Sequence, residues 1–274
     1  MANLCPASHG FYGERAVRFS GNFAKMNRKL IQIDQLKNQL TQYRPLSESE
    51  VKRLREEFII ESSYNSNAIE GNTITLRETV LILKEGMTIA EKPLREHLDI
   101  IGFKDAFNYI YELVANNEPL SERTIKDIHS LVLMNNAEGR GVYRKIPVRI
   151  LGAENEPTAP YLIAEEMQSL IEKYQQKLTA LHPIEAISWL HLAFESIHPF
   201  IDGNGRTGRL LINFELLKHG YLPVDIKFTH RANYYQCFDD FHKNQQDISR
   251  LVELISRYEL TELERYLAIL EQRT

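Results

Sequence analysis

The chain has 274 residues, a net charge of −4 and two widely separated cysteines, Cys5 and Cys237. That length suits one large domain or two small ones with an ample core. The charge leaves no basic footprint for nucleic acid, the cysteines leave no disulfide framework or CxxC clip, and the apolar runs are too short to span a bilayer.

The N-terminus shows no basic segment followed by an apolar stretch, so the cytoplasm is the expected location. Internal repeats and long Pro/Ser linkers are lacking, against a string of independent modules. Residues 1–18, with Pro6, Gly10 and Gly13, read as irregular. From about Asn22 to Tyr43, Met26, Leu30, Ile33, Leu36 and Leu40 recur at helical spacing. Ser47-Glu-Ser-Glu50 has the form of a capping box for a helix through Val51, Leu54, Phe58 and Ile59. It leads into Ser62-Ser-Tyr-Asn-Ser66-Asn-Ala-Ile-Glu70-Gly71-Asn72, where Glu70 taken alone is an exposed glutamate near a helix end. Thr75-Leu-Arg-Glu78 opens a short helix that Gly86 stops. Pro93 begins a longer one through Leu98, Ile101, Phe103, Phe107, Ile110 and Leu113, ending near Asn116 and Asn117. Ser121 to Leu133 forms another, with Ile125, Ile128, Leu131 and Val132 inward and His129 as a structural histidine.

Between Asn135 and Ile163, Gly139, Gly141, Pro147, Gly152, Pro157 and Pro160 break any helix. Val148, Ile150 and Leu151 predict a short strand and Tyr161 to Ile163 its return, so a hairpin is expected. Helices resume from Ala164 to Leu178 and, after His182-Pro183, from Ile184 to Ile197. In the second, Ile184, Ile187, Leu190, Phe194 and Ile197 form the buried stripe and Trp189 reads as packing. A helix through Leu210, Leu211, Ile212 and Leu216 follows, then a turn at Tyr221-Leu-Pro223 and another helix from Arg231. The last stretch, Ile248 to Leu270, is helical and free of glycine.

The stretch between those two central helices, His198-Pro-Phe-Ile-Asp202-Gly-Asn204-Gly-Arg206-Thr-Gly-Arg209, concentrates the chemistry. Gly203 and Gly205 lack a Cβ, so the backbone N–H groups can approach a ligand closely and form an anion cradle. The helix that begins here aims its unpaired N–H groups at the same place, which favours phosphate. Arg206 and Arg209 share a helix face and offer two guanidinium forks. Asp202 suits a magnesium ion between phosphates, since such ions take one or two carboxylates plus substrate oxygens. His198 remains as a base near neutrality. Gly203 to Gly208 also fits the dinucleotide pattern GxGxxG, but the preceding strand that pattern requires is missing. His191, Glu195 and His198 fall on one helix face, a spacing that is no established zinc signature.

Residues 198–209 resemble the Fic family of nucleotidyl transferases: the His-Pro-Phe, the acid, the Gly-Asn-Gly-Arg and the final arginine all stand in place. The resemblance implies a mostly helical fold that binds ATP and magnesium and moves AMP onto a hydroxyl of another protein. Carried over by position, His198 is the general base and Asp202 the metal ligand. The nucleotide is held along Gly203, Asn204, Gly205, Arg206, Thr207, Gly208 and Arg209, with Asn204 and Arg206 on phosphates and Arg209 on the terminal one. Ser66-x-x-x-Glu70-Gly71 matches the family's inhibitory motif, in which Glu70 takes Arg209 from the γ-phosphate, a competition for one cation. Gly141-Val-Tyr-Arg144 and the hairpin with Val148, Ile150 and Leu151 resemble the family's flap, which adds an extended segment of the target as a strand. Tyr234 and Tyr235 are candidates for the adenine pocket, with core packing the alternative.

The sequence therefore predicts an all-α domain with one β-hairpin flap. Its expected division is an N-terminal helical extension, 1–60, and a catalytic domain, 61–274, that includes an inhibitory helix near 62–72. The expected function is an autoinhibited protein adenylyltransferase using ATP and Mg2+ on a Ser, Thr or Tyr of a target protein, with neither nucleic acid nor membrane as partner. Self-modification and a homodimer stay open. So do the reverse reaction, in which Glu70 orients a water that removes AMP, and a non-catalytic nucleotide-binding module.

Overall fold

Residues 12–43, 47–150 and 156–271 are described in the computed structural model, with side-chain detail from Met26 onward. Ten α-helices succeed one another along these residues: α1 (Tyr12–Leu40), α2 (Glu48–Ile69), α3 (Leu76–Glu85), α4 (Leu94–Ala115), α5 (Glu122–Val132), α6 (Ile163–Ala180), α7 (Pro183–Ile197), α8 (Asn204–Lys218), α9 (Arg231–Lys243) and α10 (Ser249–Glu271).

Their starts follow from local chemistry. Ser47, Thr75, Ser121 and His182 each close a capping box, satisfying N–H groups that have no partner inside the helix. Gly86, in the left-handed conformation at φ 65°, ends α3. α7 and α8 are the two central helices. α7 buries Ile184, Ile187, Leu190, Phe194 and Ile197, and α8 buries every residue from Arg206 to Leu216, so neither has a solvent face along most of its length. Around them pack α4, α5 and α6, while α2 lies on α4 and α8. α1 packs on α10, where Lys29 pairs with Glu253. One hydrophobic cluster runs from Leu30 and Phe58 through Phe103, Phe194 and Leu211 to Leu263. The short segment 198–203 thus joins two buried helices, which fixes both of its ends.

Three expectations change. The first helix begins at Tyr12 rather than near Asn22, so residues 12–18 are helical; residues 1–11 lie outside the described ones. No strand forms among the described residues: Val148 and Ile150 lie in extended chain, and Leu151 lies outside them. Two of the carbonyls on either side are taken otherwise, because the Arg144 guanidinium donates to those of Ile146 and Thr158, and Pro147 and Pro157 have no N–H to offer. Tyr161 to Ile163 belongs to a 3₁₀ turn, Pro160–Leu162, and the start of α6 rather than to a returning strand.

Candidate active site

The site grows from the turn between α7 and α8. α7 ends on His198, which adopts a left-handed conformation at φ 50°, ψ 60° and so turns the chain sharply. Phe200 is buried and its ring stacks on His129 of α5 at 3.6 Å with the planes 4° apart. Asn204 brackets the turn: Oδ1 accepts from the Phe200 N–H at 2.9 Å and Nδ2 donates to the Phe200 carbonyl at 2.9 Å. His129 braces it from the other side. Its Nδ1 accepts from the Gly141 N–H at 3.0 Å, which leaves the proton on Nε2 to reach the Asp202 carbonyl at 2.9 Å. Burial pulls His129 down to about 4, in keeping with that neutral ring. Gly203, at φ 78°, starts α8, whose first internal bond is Thr207 N–H to Gly203 O. The first-turn N–H groups therefore face a common hollow at the helix N-terminus.

That hollow holds an internal anion. Glu70, just beyond the end of α2, places its carboxylate so close that a methyl group built on Gly205 falls 2.2 Å from Oε1. Gly71, at φ 91°, turns the chain away directly afterwards. Arg209 grips the end of α2: Nη2 donates to Glu70 Oε1 and to the Ser66 carbonyl, and Nε to Ser66 Oγ, all at 2.8 Å. Its Nη1 donates to the Tyr234 hydroxyl at 3.4 Å, and that hydroxyl bonds His191 Nε2 at 2.8 Å. Burial acts against the charge on Arg209, but Tyr234 and Glu70 hold its pKa above the usual value. Burial lowers His191 to about 4 and keeps it neutral.

His198 stands beside this network. Its Nδ1 lies 3.7 Å from Glu195 Oε2, a separation for ion pairing rather than for a hydrogen bond. Glu195 is buried, which raises its pKa, yet His198, His191 and Arg209 hold the net value below the ordinary range. Thr207 and Gly208 are buried under the turn. A Cβ on Gly208 would fall 2.5 Å from Glu195 Oε1 and 2.9 Å from His191, so only glycine fits. Arg206 is also buried, with Nη1 on Asp99 Oδ1 at 2.7 Å and Nη2 on Asp202 Oδ1 at 3.4 Å. Asp99 in turn accepts from Asn135 Nδ2 at 2.8 Å.

The structure thus brings together His198, the stretch 202–209, Ser66, Glu70, Gly71 and Tyr234. Tyr234 is 1% exposed with its hydroxyl inside the network, whereas Tyr235 is 46% exposed and donates to the Ile69 carbonyl at 3.0 Å. Of the two, Tyr235 alone is exposed. Asp99, Asn135, Glu195, His129 and Arg144 enter the site's surroundings without having been singled out as functional. Glu195 had a signal in the His191, Glu195, His198 stripe, and Arg144 in the run from Gly141; Asp99 and Asn135 had none. Among the described residues no three His, Cys, Asp or Glu side chains cluster as a metal site. Asp202 is a single carboxylate with 52% of its side-chain surface open, which fits an ion that takes its remaining ligands from phosphate and water.

Fold and site together define a helical domain with a buried loop–helix junction, where the Glu70 carboxylate pairs with Arg209 at the start of α8. Residues 119–216 match the Fic/DOC family. The chain carries a domain of that family over those residues. It is 33% identical over 242 residues to a protein adenylyltransferase Fic of Nematostella vectensis, covering 87% of this chain and 56% of that one. It is 34% identical over 268 residues to a protein adenylyltransferase Fic of Drosophila persimilis, covering 96% and 51%. The chain therefore spans about half the length of the curated relatives it matches. In three dimensions it resembles Fic-1 (aa134–508) from C. elegans with a TM-score of 0.82 at 27% identity, covering 95% of this chain and 77% of that one. A Fic-domain-containing signaling protein from Bacteroides thetaiotaomicron aligns with a TM-score of 0.78 at 27% identity, covering 86% and 94%.

Proposed function

We propose that the chain is an autoinhibited protein adenylyltransferase that moves AMP from ATP to a Ser, Thr or Tyr hydroxyl of another protein. The observation that carries this reading is the Glu70 carboxylate on Arg209 at 2.8 Å, over the N-terminus of α8. A cradle that accepts a carboxylate accepts a phosphate by the same N–H groups and the same cation. The names of the adenylyltransferase relatives supply the reaction class.

In this reading His198 takes the proton of the acceptor hydroxyl, the freed oxygen attacks the α-phosphorus of ATP, and pyrophosphate leaves. Glu195, charged and 3.7 Å from Nδ1, favours the imidazolium that results. Arg206, Arg209 and the first-turn N–H groups meet the phosphate charge, so positioning and electrostatics do most of the work. Asn204 serves by fixing the turn. Asp202 would hold a magnesium ion, which would neutralise phosphate charge there. Tyr235 lies against the adenine, and the extended chain at Val148 and Ile150 receives the target. Residues 61–274 then form the catalytic unit and 1–60 its extension. No helix among the described residues is long and apolar enough to cross a membrane.

Glu70 blocks this sequence by occupying the cation that the γ-phosphate needs. The test is transfer of label from α-labelled ATP with magnesium, comparing the unmodified chain, Glu70→Gly and the Glu70→Gly, His198→Ala double variant. Label on protein that appears only with Glu70→Gly supports the reading. ATP binding with no label in any of the three, whether on the chain itself or on proteins of an added cell extract, overturns it in favour of AMP removal or another donor.

A further inference from the structure

Arg144 is a buried charge outside the cradle. It is 5% exposed, and among the described residues its bonded partners include no carboxylate, although buried charges ordinarily require a counter-ion. The guanidinium donates to backbone carbonyls instead: His198 O at 2.8 Å, Ile146 O at 3.1 Å, Ile197 O at 3.4 Å and Thr158 O. Its own backbone N–H donates to Pro199 O at 2.9 Å.

These partners fall into two groups. Ile197, His198 and Pro199 are the end of α7, where unpaired carbonyls gather the negative end of the helix dipole and where α7 carries no basic residue of its own. Ile146, in a bend, and Thr158, in irregular chain, stand on either side of residues 151–155. One side chain therefore joins the peptide of His198 to both stems of the segment that follows Gly141. It makes no bond to residues 202–209, and the phosphate cradle is built without it.

We propose that Arg144 is a positioning residue that sets His198 and the acceptor-side segment as one unit, so that the base and an incoming hydroxyl share a fixed frame. The proposal rests on the reading of His198 as the base. A planar fork with five donors is needed to reach carbonyls on three sides, and a lysine ammonium on a flexible stem does not reproduce it. Losing the frame misplaces the base, an error that costs on the order of 10²-fold when the displacement is near an ångström.

The experiment places Arg144→Gln and Arg144→Lys in the Glu70→Gly chain. It measures AMP transfer from α-labelled ATP, ATP affinity by calorimetry, and amide hydrogen exchange over 142–150 and 196–203. Arg144→Gln should lose about 10²-fold in transfer rate while ATP affinity changes by less than about twofold, and exchange should rise in both segments together. Arg144→Lys, which keeps the charge, should fall between the two and remain folded if Arg144→Gln does not. Transfer at the parent's level overturns the proposal. So does a parallel fall of transfer and ATP affinity, which marks a general structural role, or faster exchange confined to 142–150. If the Glu70→Gly parent itself transfers nothing, the reading of the site has failed, and the paired exchange change alone upholds or rejects the link between Arg144 and the end of α7.

Discussion

Residues 198–209 carry bonds among themselves, with Asn204 on Phe200, Asp202 on the Gly203 N–H at 2.6 Å and Arg206 on Asp202, alongside those to His129, Arg144, Asp99 and the end of α2. Residues 61–72 are tied to remote parts of the chain. Asn65 bonds Asp225 at 2.7 Å and the Phe228 N–H at 3.0 Å, Glu61 pairs with Lys227 at 2.8 Å, Asn72 reaches the Glu96 carbonyl at 3.1 Å, and Tyr235 reaches Ile69. The first region has bonds of its own at the junction of α7 and α8, whereas the second is held by side chains from elsewhere in the chain. Withdrawing the end of α2 therefore breaks exchangeable contacts and leaves the cradle's own bonds in place.

The largest expected effect tests whether the cradle works once the block is gone. In the Glu70→Gly chain, His198→Ala should lower transfer by about 10²- to 10⁴-fold with ATP affinity retained. Equal rates would remove His198 from the chemistry. The two glycines beneath and above the cradle sharpen the contrast. Gly208→Val drives its side chain into the buried Glu195 and His191 and should cost roughly 1–3 kcal/mol of unfolding free energy in urea titration. Gly205→Ala meets the ends of the Glu70 and Arg209 side chains, so stability should hold within about 1 kcal/mol while the block loosens. Asn65→Ala removes two bonds that attach α2 and leaves buried Asp225 short of a donor, a loss of roughly 1–3 kcal/mol. The same variant should show AMP transfer with Glu70 still present; silence there would mean that the end of α2 does not need Asn65 to stay seated.

The smallest effect is on pH. His129 and His191, both near 4 in the folded chain against about 6.5 unfolded, bind fewer protons folded than unfolded across that window. Stability should therefore be full above pH 6.5 and fall as pH drops toward 4. His191→Gln should flatten the dependence of the denaturation midpoint over that range. Acid would then undo the braces of the cradle.

The helix boundaries were legible because caps and breakers act within a few residues: Ser47, Thr75, Gly86 and Ser121 all do in the fold what their positions announce. Gly13 was read as a breaker, yet it lies in the first turn of α1, where backbone N–H groups are unpaired in any case and glycine interrupts little. The run at Val148 and Ile150 has strand composition, but strand formation depends on where backbone groups find partners, and Arg144 takes the carbonyls of Ile146 and Thr158 on either side of it. The meeting of Glu70 with Arg209 was legible only through resemblance, since 139 residues separate the two. Asp99 on Arg206 had no such help. A charged residue on the inner face of α4 looks like any other interruption of an apolar stripe until its partner is seen.

The left-handed backbone of His198 sets the chain's needs against each other. That conformation costs a residue other than glycine about 1–2 kcal/mol. His198→Gly would relieve the strain and give a more heat-resistant molecule with no imidazole at the turn. Any selection for thermal endurance alone, in the laboratory or in nature, therefore pulls position 198 away from histidine, and its retention requires a separate demand for what the ring does.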